Sequence, residues 1–421
     1  RQISILVFSL LMAMGCLTGS LFFLRPSKSA VEKRDLTPFP AFTFSSFMDG
    51  SYFSQISTWY ADTYPGRDAL ISMNSKIKDS YGIQSDTMMV GQGQADQIPT
   101  ETSEKKTTKK KKKAELPQQE EMAEEMQDQI MQGLYIKNGA AYGMYYFTQA
   151  SADTYIEGIN GSAKKLAKTT DVYSILVPNN SIVLDKETID KLGGSNQAQA
   201  IEYYMDSYSD KVKGVNCVSR LRKHRDEYLY FKTDHHWTAL GAYYAYQEFC
   251  EVKGIKPHKL SYFKKQESSP FLGSYYSELQ LSEMEQDPDT VTAYIPKGTN
   301  KMTYWRDGQE YEGNVVSGPE YWDENSYYME FINGDQPLCK ITNPKVEDDS
   351  SCVILKESYG NCFVPFLVDH YHTIYVMDFR YTDEYPREFC QKNKIDDLIV
   401  INNIQIIGSS DVSQVISEMI N

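Results

Sequence analysis

Two short stretches hold the side chains most capable of chemistry. Thr233-Asp234-His235-His236-Trp237 sets two of the six histidines beside a carboxylate, and Leu355-Lys356-Glu357-Ser358-Tyr359-Gly360-Asn361 places a hydroxyl just after an apolar run. A serine hydroxyl is a weak nucleophile until a base within hydrogen-bond reach takes its proton. That base works best when a carboxylate fixes its tautomer and stabilises the imidazolium. The expected roles are Ser358 as nucleophile, His236 as general base and later acid, and Asp234 as the group that orients the imidazole. The backbone N–H groups of Ser358 and Tyr359, at a strand-to-helix turn, would face a developing oxyanion with help from the helix N-terminus. A serine before a helix is by itself usually only a cap, so the partnership with Asp234 and His236 carries the expectation.

Other residues near these stretches have two readings each. His235 either bonds backbone beneath the site or joins it, and Trp237 is either a core anchor or a platform for a sugar. Asn361 could serve the oxyanion or the N-terminal hydrogen bonds of a helix. Asn179 and Asn180, just past a buried run, could donate to an oxyanion, or cap a helix and make a turn.

Positioning these groups requires α/β alternation. Tyr228-Leu229-Tyr230-Phe231 reads as a strand, followed by a helix from about Trp237 to Lys253-Gly254. Along an extended segment Asp234 and His236 would share one side and His235 the other. Val172 to Val177, Cys352 to Leu355, Thr373 to Met377 and Leu398 to Ile401 are short apolar runs of the kind a parallel sheet buries on both faces. Ala152 to Leu166, Ile201 to Val212 and Cys362 to His370 read as helices. Residues 255 to 345, rich in Tyr, Ser, Gly and Pro, read as an excursion of strands and loops that shapes a groove. The fold class expected is α/β with a parallel sheet, whose strand ends would gather Asp234, His236 and Ser358 at one edge.

Asp234-His235-His236-Trp237 resembles the signature of the DHHW family, extracytoplasmic proteins similar to the alginate O-acetylation branch of the SGNH hydrolase superfamily. Leu355 to Asn361 resembles the family's nucleophile block, although Glu357 stands where Asp is commoner. The likeness covers nearly everything after Arg34, and Arg67-Asp68 and Asp378-Phe379-Arg380 belong to it. It implies an SGNH-like three-layer fold with circularly permuted motif order. It also implies an acyl-serine intermediate and O-acetyl transfer or ester hydrolysis on an exported or wall polysaccharide. A membrane-bound O-acyltransferase is the partner it implies, and it calls for no cofactor and no metal.

Composition bounds the alternatives. The formal net charge of -14 argues against nucleic acid as a partner. Seven cysteines without a CxxC pair suggest neither a zinc site nor a disulfide framework. Asp-His-His also occurs among manganese phosphoesterases, but that class needs further aspartates at strand ends, and Asp287-Pro288-Asp289 reads as a polar loop. A non-catalytic, membrane-anchored glycan-binding scaffold is the other alternative.

The chain divides by composition. Ile3 to Leu24 is 22 residues without a charge, long enough to span a bilayer of roughly 30 Å. It reads as a single-pass signal anchor (residues 1–25) with the main domain extracytoplasmic, or alternatively as a lipoprotein signal ending at Cys16. Residues 26–90 form a lead-in segment, with Ala69 to Tyr81 a possible helix and Arg67-Asp68 either a docking feature or an internal ion pair. Residues 91–132 are a charged low-complexity insertion, with Lys109 to Lys113 followed by an acidic block, expected to be disordered, flexible at its lysine end, with a helix near Gln118 to Ile130. Residues 133–421 are the SGNH-like domain.

Overall fold

The protein is described by a computed structural model over residues 9–10, 12–15, 17–18, 24–29, 34–48, 50–70, 73, 87–99, 126–127 and 129–421. Residues 100–125 of the charged insertion, much of the expected anchor from Ile3 to Leu24, and most of the expected helix from Ala69 to Tyr81 lie outside the described residues. Among the described residues no helix is long and apolar enough to cross a membrane.

The chain forms two units, one of Arg1–Ser85 with Ser274–Gln286, the other of Asp86–Gly273 with Asp287–Asn421. Part of the excursion thus groups with the N-terminal unit, and residues 86–99 with the large one. In the first unit β1 (Lys28–Ser29) pairs antiparallel with β2 (Arg34–Asp35). The helices Phe44–Met48 and Ser51–Asp62 follow. Trp59 is buried with the Phe39 ring edge-on at 4.8 Å. Arg67 pairs with its neighbour Asp68 at 3.1 Å, and Ser29 Oγ donates to the same carboxylate at 2.8 Å, so this pair ties local backbone together.

In the second unit β3 (Thr87–Val90), β4 (Leu134–Lys137) and β5 (Ala140–Gly143) make a small antiparallel sheet. The central sheet contains β6 (Asp171–Val177) and β7 (Val212–Asn216), while β8 (Lys264–Phe271) and β9 (Asp289–Ile295) form a separate antiparallel pair. It is completed by β10 (Lys301–Arg306), β11 (Gln309–Asn314), β12 (Leu338–Thr342), β13 (Ser351–Lys356), β14 (Thr373–Asp378) and β15 (Asp397–Asn403). Its eight strands run in the order β11-β10-β12-β14-β13-β15-β6-β7. From β14 to β7 every pairing is parallel, but β12, β10 and β11 continue the sheet antiparallel. The sheet is therefore mixed and not purely parallel, because three strands of the excursion join its edge antiparallel.

Every residue of β15 is buried, which a parallel strand achieves only when both faces of the sheet are covered. The helix Gln149–Leu166 packs on β6 and β7 and against the C-terminal helix Ser410–Ile420, and Ala239–Lys253 packs on β7. Three expected elements differ. The helix placed at Ile201 to Val212 runs Gln197–Ser207, since Val212 opens β7. The helix expected from Cys362 to His370 is α-helical only over Val364–Leu367. Tyr228 to Phe231 is not a strand, and Tyr230 alone bridges antiparallel to Trp237.

Candidate active site

That single bridge shapes the acidic and basic half of the site. Phe231 N–H donates to His236 O at 3.2 Å and Thr238 N–H to Leu229 O at 2.9 Å, closing residues 232–236 into a tight loop instead of an extended segment. Asp289, the buried first residue of β9, fills the loop: its Oδ2 accepts from Thr233 N at 2.7 Å and Thr233 Oγ1 at 2.6 Å, and its Oδ1 from Lys232 N at 3.0 Å. The polar loop expected at Asp287 to Asp289 is thus a strand start that holds the motif's backbone. Burial raises the Asp289 carboxyl pKa, against the donors that favour its charged form. Gly273 lies so close that a Cβ there would sit 2.2 Å from Asp234 Cβ, so only glycine fits. After the loop Thr238 Oγ1 caps the helix Ala239–Lys253, which Gly254 closes at φ 76°.

The hydroxyl half sits at the C-terminal end of β13, followed by one 3₁₀ turn, Ser358–Gly360, and not by an α-helix N-terminus. Two hydrogen bonds register the two loops. Trp237 Nε1 donates to Tyr359 O at 2.8 Å, and Tyr359 OH donates to His235 O. Between them Asp234 Oδ1 accepts from His236 N at 2.9 Å and lies 2.6 Å from His236 Nδ1, while His236 Nε2 is 2.7 Å from Ser358 Oγ. Asp234, His236 and Ser358 are each at most 8% exposed, so this chain of hydrogen bonds runs in a low-dielectric setting. With Nδ1–H held by Asp234, Nε2 is left as the acceptor for the serine proton.

The secondary candidates fare differently. Trp237 is fully buried, a core anchor. Tyr359 N–H donates to Glu357 Oε2 at 2.8 Å and so is not turned to an oxyanion. Glu357 Oε1 accepts from Asn403 N at 2.8 Å, which ties the nucleophile turn to the end of β15. Burial raises the Glu357 pKa while those two N–H groups oppose the rise. Asn361 Nδ2 donates to Asp335 at 2.9 Å. Asn179 caps the 3₁₀ turn after β6 and bonds Gln405, and Asn180 bonds the backbone of Gly143 and Ala141; both amides serve the scaffold. The His235 ring lies 3.7 Å from that of His236, and burial, then His236, pushes its pKa down to about 3, against the pull of Asp234.

Tyr328 shapes the site without having carried a signal at the sequence level, whereas the Asp378–Arg380 pair lies where the likeness had pointed. The Tyr328 ring stacks on His236 at 3.9 Å and 12°, and its hydroxyl donates to Ser358 O at 2.9 Å. Beneath the serine lies a buried charge cluster. Lys356 Nζ meets Asp378 Oδ2 at 2.6 Å and Asp335 Oδ1 at 3.1 Å, and Arg380 Nη2 meets the same two carboxylates at 2.6 and 2.9 Å. Burial alone would raise the Asp335 pKa, but Arg380 and Lys356 prevail and hold it far below the usual carboxylate range. Asp335 follows a turn in which Ile332, Asn333 and Gly334 have φ of 47°, 53° and 74°. For a β-branched residue that conformation is costly, about 1–3 kcal/mol, and persists only where the surroundings impose it. Asn403 Nδ2 is buried without a hydrogen-bond partner among the described residues.

Chemically, the arrangement can take a proton from Ser358 and stabilise the resulting imidazolium. Asp234, His235 and His236 also offer three ligand atoms within 4.8 Å of one another, a set that could hold a metal ion. Both ring nitrogens of His236 are already engaged, so a metal there would have to displace Asp234 or Ser358.

Comparison with known proteins agrees with this architecture. The family model described as "DHHW protein" matches residues 32–129 and 121–377. A DHHW family protein from Eubacterium siraeum is similar at 27% identity and TM-score 0.60, over 67% of this chain and 94% of that one. Bacillus cereus PatB1, solved with a sulfonyl adduct, is similar at 17% identity and TM-score 0.55, over 65% and 94%. The O-acetyltransferase domain of Pseudomonas putida AlgJ matches at 10% identity and TM-score 0.36, over 64% and 90%. No curated protein matches the chain.

Proposed function

The chain belongs to the DHHW family, and from that premise we propose that it is an extracytoplasmic, serine-dependent O-acyltransferase or esterase acting on an exported or cell-wall polysaccharide. The observation that carries the reading is the unbroken run from Asp234 Oδ1 through His236 to Ser358 Oγ, with links of 2.6 and 2.7 Å. In the reaction Ser358 Oγ attacks the ester carbonyl and its proton passes to His236 Nε2. The imidazolium, paired with Asp234, then gives that proton to the departing alcohol. The acyl-serine is resolved when His236 deprotonates a glycan hydroxyl or a water, which attacks the acyl carbon and frees Ser358. Ser358 N–H and Asn403 Nδ2 are the donors we assign to the oxyanion, since Tyr359 N–H is held by Glu357.

The same reading places the protein at the cell membrane, held by Ile3 to Leu24 as a single-pass anchor, beside a membrane-bound O-acyltransferase that delivers the acyl group. Incubating the full chain with an activated acetyl ester should leave one acetyl group on the Ser358 peptide by mass spectrometry. A sulfonyl fluoride should label the same residue, as the adduct on Bacillus cereus PatB1 suggests. Ser358→Ala should stay folded and unlabelled, and His236→Ala should be labelled about 10²–10⁴-fold more slowly. Acetylation that persists at full rate in Ser358→Ala would end this reading. The ligand set at Asp234, His235 and His236 favours one competitor, a metal-dependent hydrolase. Loss of labelling with EDTA and its return with manganese would establish that competitor, whereas unchanged labelling supports the serine.

A further inference from the structure

The apolar surface of this protein is unevenly distributed. Among the described residues every exposed Phe and Leu belongs to the first unit: Leu10, Leu17, Leu24, Phe39, Phe42, Phe44, Phe47, Phe53 and Leu70. The described residues of the much larger second unit expose no side chain of either type. Single exposed hydrophobes need no explanation, but a contiguous set does. Phe42, Phe47, Tyr52 and Phe53 are contiguous, with ring centroids 5.3 to 6.0 Å apart, yet Phe42, Phe44 and Phe53 remain 61%, 73% and 56% exposed. Residues 36–61 contain a single charged side chain, Asp49, in a protein that is 24% charged. A surface that had only to meet water would not be so depleted.

What covers this face follows from its connection to the uncharged run. Arg25, the first charge after Ile3 to Leu24, donates to Tyr60 O at 3.1 Å and Thr63 Oγ1 at 2.8 Å, and its guanidinium lies 4.2 Å over the Trp59 ring. Tyr64 OH donates to Gly15 O at 2.7 Å, within the run itself. The run and the helix Ser51–Asp62 are therefore parts of one packed unit, and Leu10, Met12, Met14 and Leu17 of the run are as exposed as the phenylalanines. A medium that solvates one set reaches the other. We propose that residues 36–61 are a second membrane-contacting element, seated on the bilayer with Phe42, Phe44, Phe47 and Phe53 in the acyl-chain boundary. They would supplement the anchor as an interfacial segment whose apolar side chains sit in the headgroup–acyl boundary. Such seating would fix the orientation of the first unit at the membrane instead of merely tethering it. The inference rests on the membrane anchoring proposed above for Ile3 to Leu24.

The test uses the full chain in vesicles of phosphatidylcholine and phosphatidylglycerol, doped with a lipid carrying a photoactivatable diazirine on its acyl chain. After illumination, carbene adducts are mapped by peptide mass spectrometry. Adducts are expected on peptides covering residues 3–24 and also on those covering 36–61. In the variant Phe44→Glu/Phe47→Glu the second set should fall at least tenfold with the first unchanged. Adducts confined to 3–24 would overturn the second element and leave the anchor standing. Adducts on neither would remove both. Protein–protein cross-links at 36–61 in place of lipid adducts would overturn the proposal in favour of a second copy or another protein.

Discussion

Replacing Lys356 by methionine keeps the unbranched stem, one atom short of the ammonium, and removes the charge from the floor of the site. The ammonium is wholly buried, and its charge is held by Asp378 at 2.6 Å and Asp335 at 3.1 Å. Arg380 meets the same two carboxylates, so two cations face two anions and the cluster is neutral. Burial acts to lower the Lys356 pKa, and the two carboxylates outweigh it and raise it. In Lys356→Met two carboxylates share one guanidinium, leaving a net buried negative charge. Removing one partner of a buried pair costs about 3–5 kcal/mol. At about 2–4 °C per kcal/mol for a large domain, the melting temperature should fall by about 6–20 °C. Adding Asp378→Asn restores neutrality, with Arg380 facing Asp335. The double variant should therefore lose less than the two single losses summed, with a coupling of about 1–3 kcal/mol. Thermal and urea denaturation of the four proteins, followed by circular dichroism, gives these numbers. Because Glu357 and Ser358 follow Lys356 directly, the acetylation rate should fall as well. A Lys356→Met protein within 1 kcal/mol of wild type, or single losses that simply add, would refute the account of a neutral, coupled cluster.

Asp234→Asn should keep the fold but slow Ser358 acylation by about 10²–10⁴-fold, roughly 2.7–5.5 kcal/mol of barrier, because the amide can hold His236 in the wrong tautomer; stopped-flow labelling with an activated ester reads it, and a change under threefold would show that Asp234 is not the orienting group. Tyr328→Phe should keep the stack on His236 and lose the donor to the buried Ser358 carbonyl, a stability cost of about 1–3 kcal/mol by urea denaturation. Tyr328→Ala should cost more, since the stack goes too. Burial depresses the pKa of His235 to about 3 and of His370 to about 4, both below the ordinary 6.5. The unfolded chain then binds more protons in acid, so stability should be full above about pH 6.5 and decline as pH falls toward 4; His370→Phe, which cannot titrate, should flatten part of that decline in urea midpoints measured from pH 7 to 4.5.

How much of this was legible in the sequence depended on the range over which each feature is encoded. Asp234, His235 and His236 are neighbours in sequence, and Ser358 follows a run of buried aliphatic residues, so residue type and local spacing singled out all of them. The parallel strands were readable for the same reason: Leu398 to Ile401 is uniformly apolar and Val172 to Val177 nearly so, broken only by Ser174, as burial on both faces favours. Local pattern misled where tertiary contacts override it. Tyr228 to Phe231 has the composition of a strand but no partner strand beside it, so it folds into a loop closed by one bridge and filled by Asp289 from β9. That strands of the excursion extend the sheet antiparallel was not legible, because the edge a strand joins is set by tertiary pairing and not by its own sequence.

Sequence alone determined the chemical types at the site and the α/β alternation that carries them, since both are written in composition and period. Only the tertiary structure decided that His236 lies 2.7 Å from a serine 122 residues away, that Tyr359 N–H belongs to Glu357, and that Lys356, Asp335, Asp378 and Arg380 form one neutral cluster. Those relations join residues from different strands and loops through the register of the sheet. The registration comes from many small pairings summed across the fold, and no local stretch of chain contains it.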